Sequence, residues 1–315
     1  MGNMIKKVPV PICGVALGCA ALGNLLQSYS EGVRYLCGIV AAIILVLFLL
    51  KLIMHFDMIK EDMNNPIMAS NIGTFPMAIM LLCGYVKPFI GSAAKVIWLI
   101  AIALHALLII WFTVKYVFKL QMKKVFASYY IVFVGIVVAS VTAPAFGMEA
   151  LGAILFWFGF ICLIALLVLV TIRYVNYKEI PNPAKPIICI YAAPTSLCIA
   201  GYVQSVTPKS YGFLVAMWVV ATVIYVFSLV KAIQYLKLPF FPSYAAFTFP
   251  FVISAIASKQ TMACTTKMGS PIGILKYIVL IETIIAVVLV VYTLIRYIGF
   301  LCKSENTNKG INAQG

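Results

Sequence analysis

Ten stretches of the chain run for roughly twenty residues with few or no Asp, Glu, Lys or Arg, and polar loops separate them. They cover residues 8–30, 35–50, 63–86, 96–114, 125–148, 150–172, 186–208, 210–230, 238–258 and 272–300. The last is interrupted by Glu282 and carries Arg296 near its end. About 20 apolar residues in a helix cross the hydrocarbon core of a bilayer. The pattern therefore predicts an all-α integral membrane protein with ten transmembrane helices, called spans 1 to 10 below. They make one domain over residues 1–303, and residues 304–315 form a polar tail expected to be disordered. Lys6 and Lys7 before an apolar run imitate a signal peptide. Pro9, Pro11 and the lack of a small-residue cleavage site predict that the segment is retained.

A slower period overlies the spans. Spans 2, 4, 6 and 8 contain no proline, and span 10 has only Pro271 at its start. The odd spans carry Pro9 and Pro11, then Pro76, Pro144, Pro186 with Pro194, and Pro242 with Pro250. Pro11 to Pro76 is 65 residues, Pro76 to Pro194 is 118, or twice 59, and Pro194 to Pro250 is 56. The third copy has Gly135 where the period expects a proline. Polar side chains alternate in the same way, with Asn24, Asn71, Thr74, Ser140, Thr195, Gln204, Thr248 and Ser254 all in odd spans.

This reads as five tandem helical hairpins. Each hairpin crosses twice, so the copies are parallel and related by an axis along the membrane normal. Closing them into a ring gives quasi-fivefold symmetry, with odd helices around a central pore and even helices outside. A proline inside a helix kinks it and frees backbone groups, and at membrane depth these are tolerated where they line a cavity. Pro11, Pro76, Gly135, Pro194 and Pro250 are thus expected to line the pore. Asn24, Thr74, Ser140, Thr195, Thr248 and Ser254 are its expected polar wall, although Ser and Thr also bridge helices.

Composition excludes the soluble classes. Hydrophobic residues make up 64% and charged residues 10%, against about 45–50% and about 25% in soluble domains. The net charge of +15 therefore marks loops and orientation rather than nucleic-acid binding. Lys and Arg divide 16 to 7 between the two sides of the ten-span topology, which predicts both termini in the cytoplasm. Nine cysteines are scattered without a CxxC pair and read as small buried hydrophobes. No HExxH or GxSxG pattern occurs, so no enzyme, metal or cofactor is expected. Cation pores display acidic rings. Of eight acids only Glu282 falls deep within a span, so the expected cargo is small inorganic or organic anions.

Three segments carry a family resemblance. Residues 13–24 read Cys-Gly-Val-Ala-Leu-Gly-Cys-Ala-Ala-Leu-Gly-Asn, residues 133–140 read Phe-Val-Gly-Ile-Val-Val-Ala-Ser, and residues 241–251 read Phe-Pro-Ser-Tyr-Ala-Ala-Phe-Thr-Phe-Pro-Phe. With ten spans and little else, the chain resembles the tellurite-resistance/dicarboxylate transporter family, which includes the plant guard-cell slow anion channels. The resemblance implies a homotrimer in the cell membrane, one pore per protomer, and five inner and five outer helices. It also implies that a phenylalanine beside the span-9 proline, here Phe249, plugs the pore. Phe247 and Phe251 are expected to pack.

Two functions stay open: an anion channel gated by Phe249, or a proton-coupled carrier for C4-dicarboxylate, sulfite or tellurite oxyanions. Glu282 is either a proton site or a structural contact, with Lys276 as a candidate partner. His105, in span 4, is either a pH sensor or a hydrogen-bonded helix contact.

Overall fold

In the computed structural model, which describes residues 2–302, all regular secondary structure of the described residues is helical. The tail expected at 304–315 lies outside the described residues. The α-helices are α1 (Gly2–Lys7), α2 (Ile12–Leu26), α3 (Glu31–Met54), α4 (Phe56–Asp62), α5 (Pro66–Asn71), α6 (Thr74–Ile90) and α7 (Ser92–Phe112). They continue with α8 (Tyr129–Phe133), α9 (Val137–Thr142), α10 (Glu149–Asn176), α11 (Ala192–Ser205), α12 (Tyr211–Tyr235), α13 (Phe249–Lys267) and α14 (Leu275–Cys302). Segments of 3-10 helix, Asn182–Tyr191 and Pro242–Phe247, lead into α11 and α13.

Seven helical stretches are long and apolar enough to cross a bilayer: Glu31–Met54, Pro66–Ile90, Ser92–Val117, Glu149–Asn176, Asn182–Ser205, Tyr211–Tyr235 and Leu275–Cys302. Predicted spans 1, 5 and 9 fall short of that measure for identifiable reasons. In span 1, α2 has 15 residues, because Pro9 and Pro11 separate it from α1. Span 5 is broken between α8 and α9. In span 9, α13 continues past the predicted end at residue 258 through Lys259, Gln260 and Thr261 to Lys267, so its second half is too polar.

Of the prolines, Pro88 lies inside α6, but the four of the expected kinks stand at helix starts. Pro11 is the N-cap of α2, Pro76 and Pro194 are the third residues of α6 and α11, and Pro250 is the second residue of α13. First-turn N–H groups have no helical acceptor, so proline costs nothing there. At Pro11, Pro76 and Pro250 the expected kink is a break followed by a new helix, and at Pro194 a 3-10 segment passes directly into α11. Gly135 occupies the break between α8 and α9 and donates its N–H to the Tyr130 carbonyl at 3.1 Å. A proline there would lose that bond, which accounts for the glycine in the third copy.

Burial divides the helices into two sets. Of the apolar window in Asn182–Ser205, 94% is buried, and in Pro66–Ile90 61%; in Ser92–Val117 the figure is 22%, and in α10 and α12 28%. The buried set packs in sequence: α2 on α6, α6 on α9, α9 on α11, α11 on α13, and α13 back on α2. α3, α7, α10, α12 and α14 lean on this set from outside. Their outward residues are bulky and apolar, for example Ile161 and Val223, and suit lipid. Between lipid-surrounded helices association depends on close packing, and glycines provide it here. A Cβ on Gly18 would lie 2.6 Å from Thr248 Cβ, and one on Gly159 would lie 2.2 Å from Val137 Cγ2. Gly91 and Gly147, at φ 55° and 63°, turn the chain from an inner segment into the outer helix that follows.

Candidate functional site

The starts of the inner helices meet around a narrow cavity with about 490 Å³ of empty space. Gly14 and Leu17 of α2, Thr74 and Met77 of α6 with Asn71 before it, Tyr130, Ile131, Val134 and Gly135 around the α8–α9 break, Ala193, Pro194 and Leu197 of α11, and Ala245, Ala246, Phe249 and Pro250 form its wall. Every inner segment contributes, and no residue of an outer helix does. The wall is apolar apart from Asn71 and Thr74; the Tyr130 hydroxyl is bonded to Leu166 O of α10 at 3.2 Å.

A wider cavity of about 1240 Å³ lies further along the same helices. Its lining includes Asn24, Gln27, Arg34, Thr142, Gln204, Lys259 and Gln260. Phe249 and Leu197 line both spaces and form the partition between them. Beyond the wide cavity a smaller one, sharing Gln204 and Gln260, adds Lys209 and Lys267. No carboxylate lines either space. At the opposite end a third cavity shares Asn71, Ile190 and Ala246 with the narrow one and is lined by Pro11, Asn65 and Pro242. The spaces form one row, each joined to the next by shared residues.

Phe249 is the first residue of α13 and is 6% exposed. Its orientation follows from the preceding break. Thr248 has φ −99° and ψ −93°, and its hydroxyl is 2.7 Å from Ala245 O and 3.1 Å from Gly14 O. From Phe249 the helical period carries Ile253, Ile256, Gln260 and Ala263 onto the cavity face. Phe247 and Phe251 are fully buried and pack on Tyr244 and Tyr225, at ring distances of 4.8 and 5.6 Å.

The other expected residues separate. Pro11, Gly135, Pro194 and Pro250 line one of these spaces, as do Asn24 and Thr74. Pro76, Ser140, Thr195, Thr248 and Ser254 are buried between helices and off the cavity walls. Ser254 Oγ is 2.9 Å from Pro250 O, 3.2 Å from Ala192 O and 3.1 Å from Ser196 Oγ, which ties α13 to the start of α11. Ser140 accepts through its carbonyl from Ser205 Oγ at 2.6 Å.

Leu197, Lys259, Gln260 and Arg34 are among the cavity residues that lay outside the expected site. Leu197 carries no chemical signal. Lys259 and Gln260 sat beyond a span drawn by hydropathy, although their helical spacing from Phe249 places them on its face. Arg34 opens span 2 and reads as a loop charge. The Lys259 ammonium donates to Leu25 O at 2.9 Å and Ser28 Oγ at 2.6 Å. Arg34 pairs with Glu31 at 3.3 Å and lies 4.7 Å from the Tyr85 ring.

Glu282 and His105 lie away from the row of cavities. Glu282, on α14, is 4% exposed. Its Oε2 is buried without a hydrogen-bond partner, and Trp218 Nε1 donates to the Ser258 hydroxyl at 3.1 Å beside it. Lys276 is not its partner: its ammonium lies 4.7 Å from the Tyr277 ring, and no ion pair joins the two among the described residues. His105 Nε2 bonds Val132 O at 2.9 Å, beside the break at Gly135.

A family model described as SLAC1, voltage-dependent anion channel, matches residues 7–298. Among curated proteins, no match was found.

Proposed function

The chain belongs to the SLAC1 family of voltage-dependent anion channels, and from that premise we propose that it conducts small anions through a central pore closed by Phe249. The family is one of channels and transporters, and the apolar helices suit a multi-pass membrane protein of that type. In this reading all ten predicted spans cross, as five hairpins around the row of cavities. The short and polar segments 1, 5 and 9 are held at membrane depth by the segments that enclose them. Three copies assemble in the cell membrane with both termini in the cytoplasm, on the side that carries more Lys and Arg.

The partition made by Phe249 and Leu197 is the observation that carries the gate. An ion crossing there sheds water with no polar group to replace it. Around the narrow cavity the long helices α2, α6, α11 and α13 all begin, and helix starts present N–H groups and a partial positive charge. The wide cavity and the smaller one beyond it, with Arg34, Lys259, Lys209 and Lys267, supply a positive mouth. Both features favour anions.

Recording in oocytes or planar bilayers tests the gate. Phe249→Ala gives large anion currents without a stimulus, and Phe249→Leu falls between it and wild type. Phe251→Ala, whose ring packs on Tyr225, lowers yield and leaves the pore closed. A Phe249→Ala protein at the surface that conducts no better than wild type removes the gate, and the proton-coupled carrier for dicarboxylate, sulfite or tellurite becomes the better reading. The buried Glu282, without a cation, is the observation that favours that carrier.

A further inference from the structure

A large concavity of about 1390 Å³ of empty space, away from the row, opens on the outside of the molecule, between α10 and α12. Its floor is the 3-10 segment Asn182–Tyr191, through Ile188 and Tyr191. A 3-10 segment is slimmer than an α-helix and seldom runs this long. Pro183 and Pro186 fit that conformation, and the space between the two outer helices stays open. The walls face outward: Val175 is 62%, Val223 67% and Phe227 43% exposed.

One end of this groove is cationic. Lys178 and Lys231 line it, and neither has an ion-pair partner among the described residues. The Lys231 ammonium reaches Gln234 Oε1 at 3.4 Å and lies 5.8 Å from the Phe227 ring. Tyr235 stands at the same end. An apolar slot that ends in two uncompensated ammonium groups matches a molecule with a long hydrocarbon part and an anionic head. A second copy of this chain is a poor match. It carries 23 Lys and Arg against 8 acids, and so brings further positive charge to the lysines.

We propose that the α10–α12 groove is a binding site for an anionic phospholipid. An acyl chain lies along Leu167, Val175, Val223 and Phe227, and the phosphate sits between Lys178 and Lys231. Basic pockets between transmembrane helices recognise lipid headgroups in this way. The position matters, because the floor is the back of the inner wall. The Tyr191 ring packs 5.4 Å from that of Tyr130, which lines the narrow cavity. This site is independent of the gate.

The test is native mass spectrometry of the full chain in mild detergent, titrated with phosphatidylglycerol or phosphatidylcholine of equal chain length. Wild type binds phosphatidylglycerol at least about tenfold more tightly, and each of Lys178→Gln and Lys231→Gln removes about fivefold. The double variant binds the two lipids alike. Val223→Trp, which fills the slot without touching charge, weakens both lipids. Equal binding of the two lipids by wild type overturns the proposal, as does a preference that survives the double substitution. Displacement of the lipid by glycerol phosphate at equal concentration also overturns it, because the site is then one for free phosphate. So does oxidative cross-linking of Val223→Cys to another copy, which makes the groove an interface between copies.

Discussion

The narrow and the wide cavity are walled by the same helical segments, yet their chemistry is opposite. Around Phe249 the helices begin, and the side chains are mostly apolar. About two to three turns further along, the same helices carry Asn24, Gln204, Lys259 and Gln260, joined by Arg34. Helix starts bring a partial positive charge to the wall without a formal charge, whereas the wide cavity uses full charges on flexible side chains. In the proposed pore this separates two tasks. The wide cavity gathers anions through a field, and the narrow one decides whether they pass. Tight binding at the constriction would hold an ion, and its lack of fixed charge suits release.

The strongest way to break the comparison is to remove the partition. Phe249→Ala with Leu197→Ala merges the two spaces. Unitary anion conductance in planar bilayers is expected to rise well above that of Phe249→Ala alone, and Leu197→Ala alone to open the pore less than Phe249→Ala. Equal currents from wild type and double variant would mean that the barrier lies elsewhere.

The next effect falls on the narrow wall itself. A Cβ on Gly135 would lie 2.1 Å from the Ile131 carbonyl oxygen and 2.7 Å from Met77 Sδ. Gly135→Ala is therefore expected to cost about 1–3 kcal/mol as overpacking, and to lower the thermal midpoint in detergent. Gly135→Pro, which restores the sequence period, is expected to do worse, because it also removes the N–H bond to Tyr130. A proline variant as stable as wild type would contradict the account of this break.

Much of this contrast was legible in the sequence, and the exceptions have physical causes. Proline spacing marked the inner segments, because a residue without an N–H must sit where no helical bond is lost. The same fact cannot separate a kinked helix from a helix start, and Pro76, Pro194 and Pro250 are starts. The hydroxyls were ambiguous for a similar reason. Thr248 and Ser254 bond carbonyls of neighbouring segments, and the residue type alone fits either a pore wall or a helix bridge. Span 9 ended too early, because a helix beside a polar cavity need not be apolar. Lys259 therefore read as loop. Leu197 and the pairing of Phe249 with it depend on how α11 and α13 cross, which no local pattern encodes.

Lys259 gives a smaller and more selective effect. Lys259→Gln keeps a donor for Leu25 O and removes the charge. Anion flux into liposomes is expected to fall about threefold at ~10 mM salt and little at ~1 M, where the Debye length shrinks to about 3 Å. Lys259→Arg should match wild type at both. A loss that is the same at all salt concentrations would assign Lys259 to capping α2 rather than to gathering anions.

The smallest effect is expected at Glu282, and it bears on which protein this is. Glu282→Gln keeps the shape of the side chain and removes the capacity to bind a proton. If Glu282 is a contact that ties α14 to α13, the variant moves anions with the pH dependence of wild type. Glu282→Leu then loses about 1–3 kcal/mol of stability, because it sets an apolar side chain against the buried Ser258 hydroxyl, which accepts from Trp218. Both outcomes are expected here, since Glu282 reaches none of the cavities in the row. The carrier makes the opposite forecast: Glu282→Gln abolishes uptake driven by a pH gradient, and in wild type the reversal potential moves with pH. Measuring flux against pH in liposomes, with yield and thermal midpoint recorded on the same preparations, separates the two. A stable Glu282→Gln protein that has lost its pH-driven uptake would move the functional centre from the Phe249 partition to the α12–α13–α14 contact.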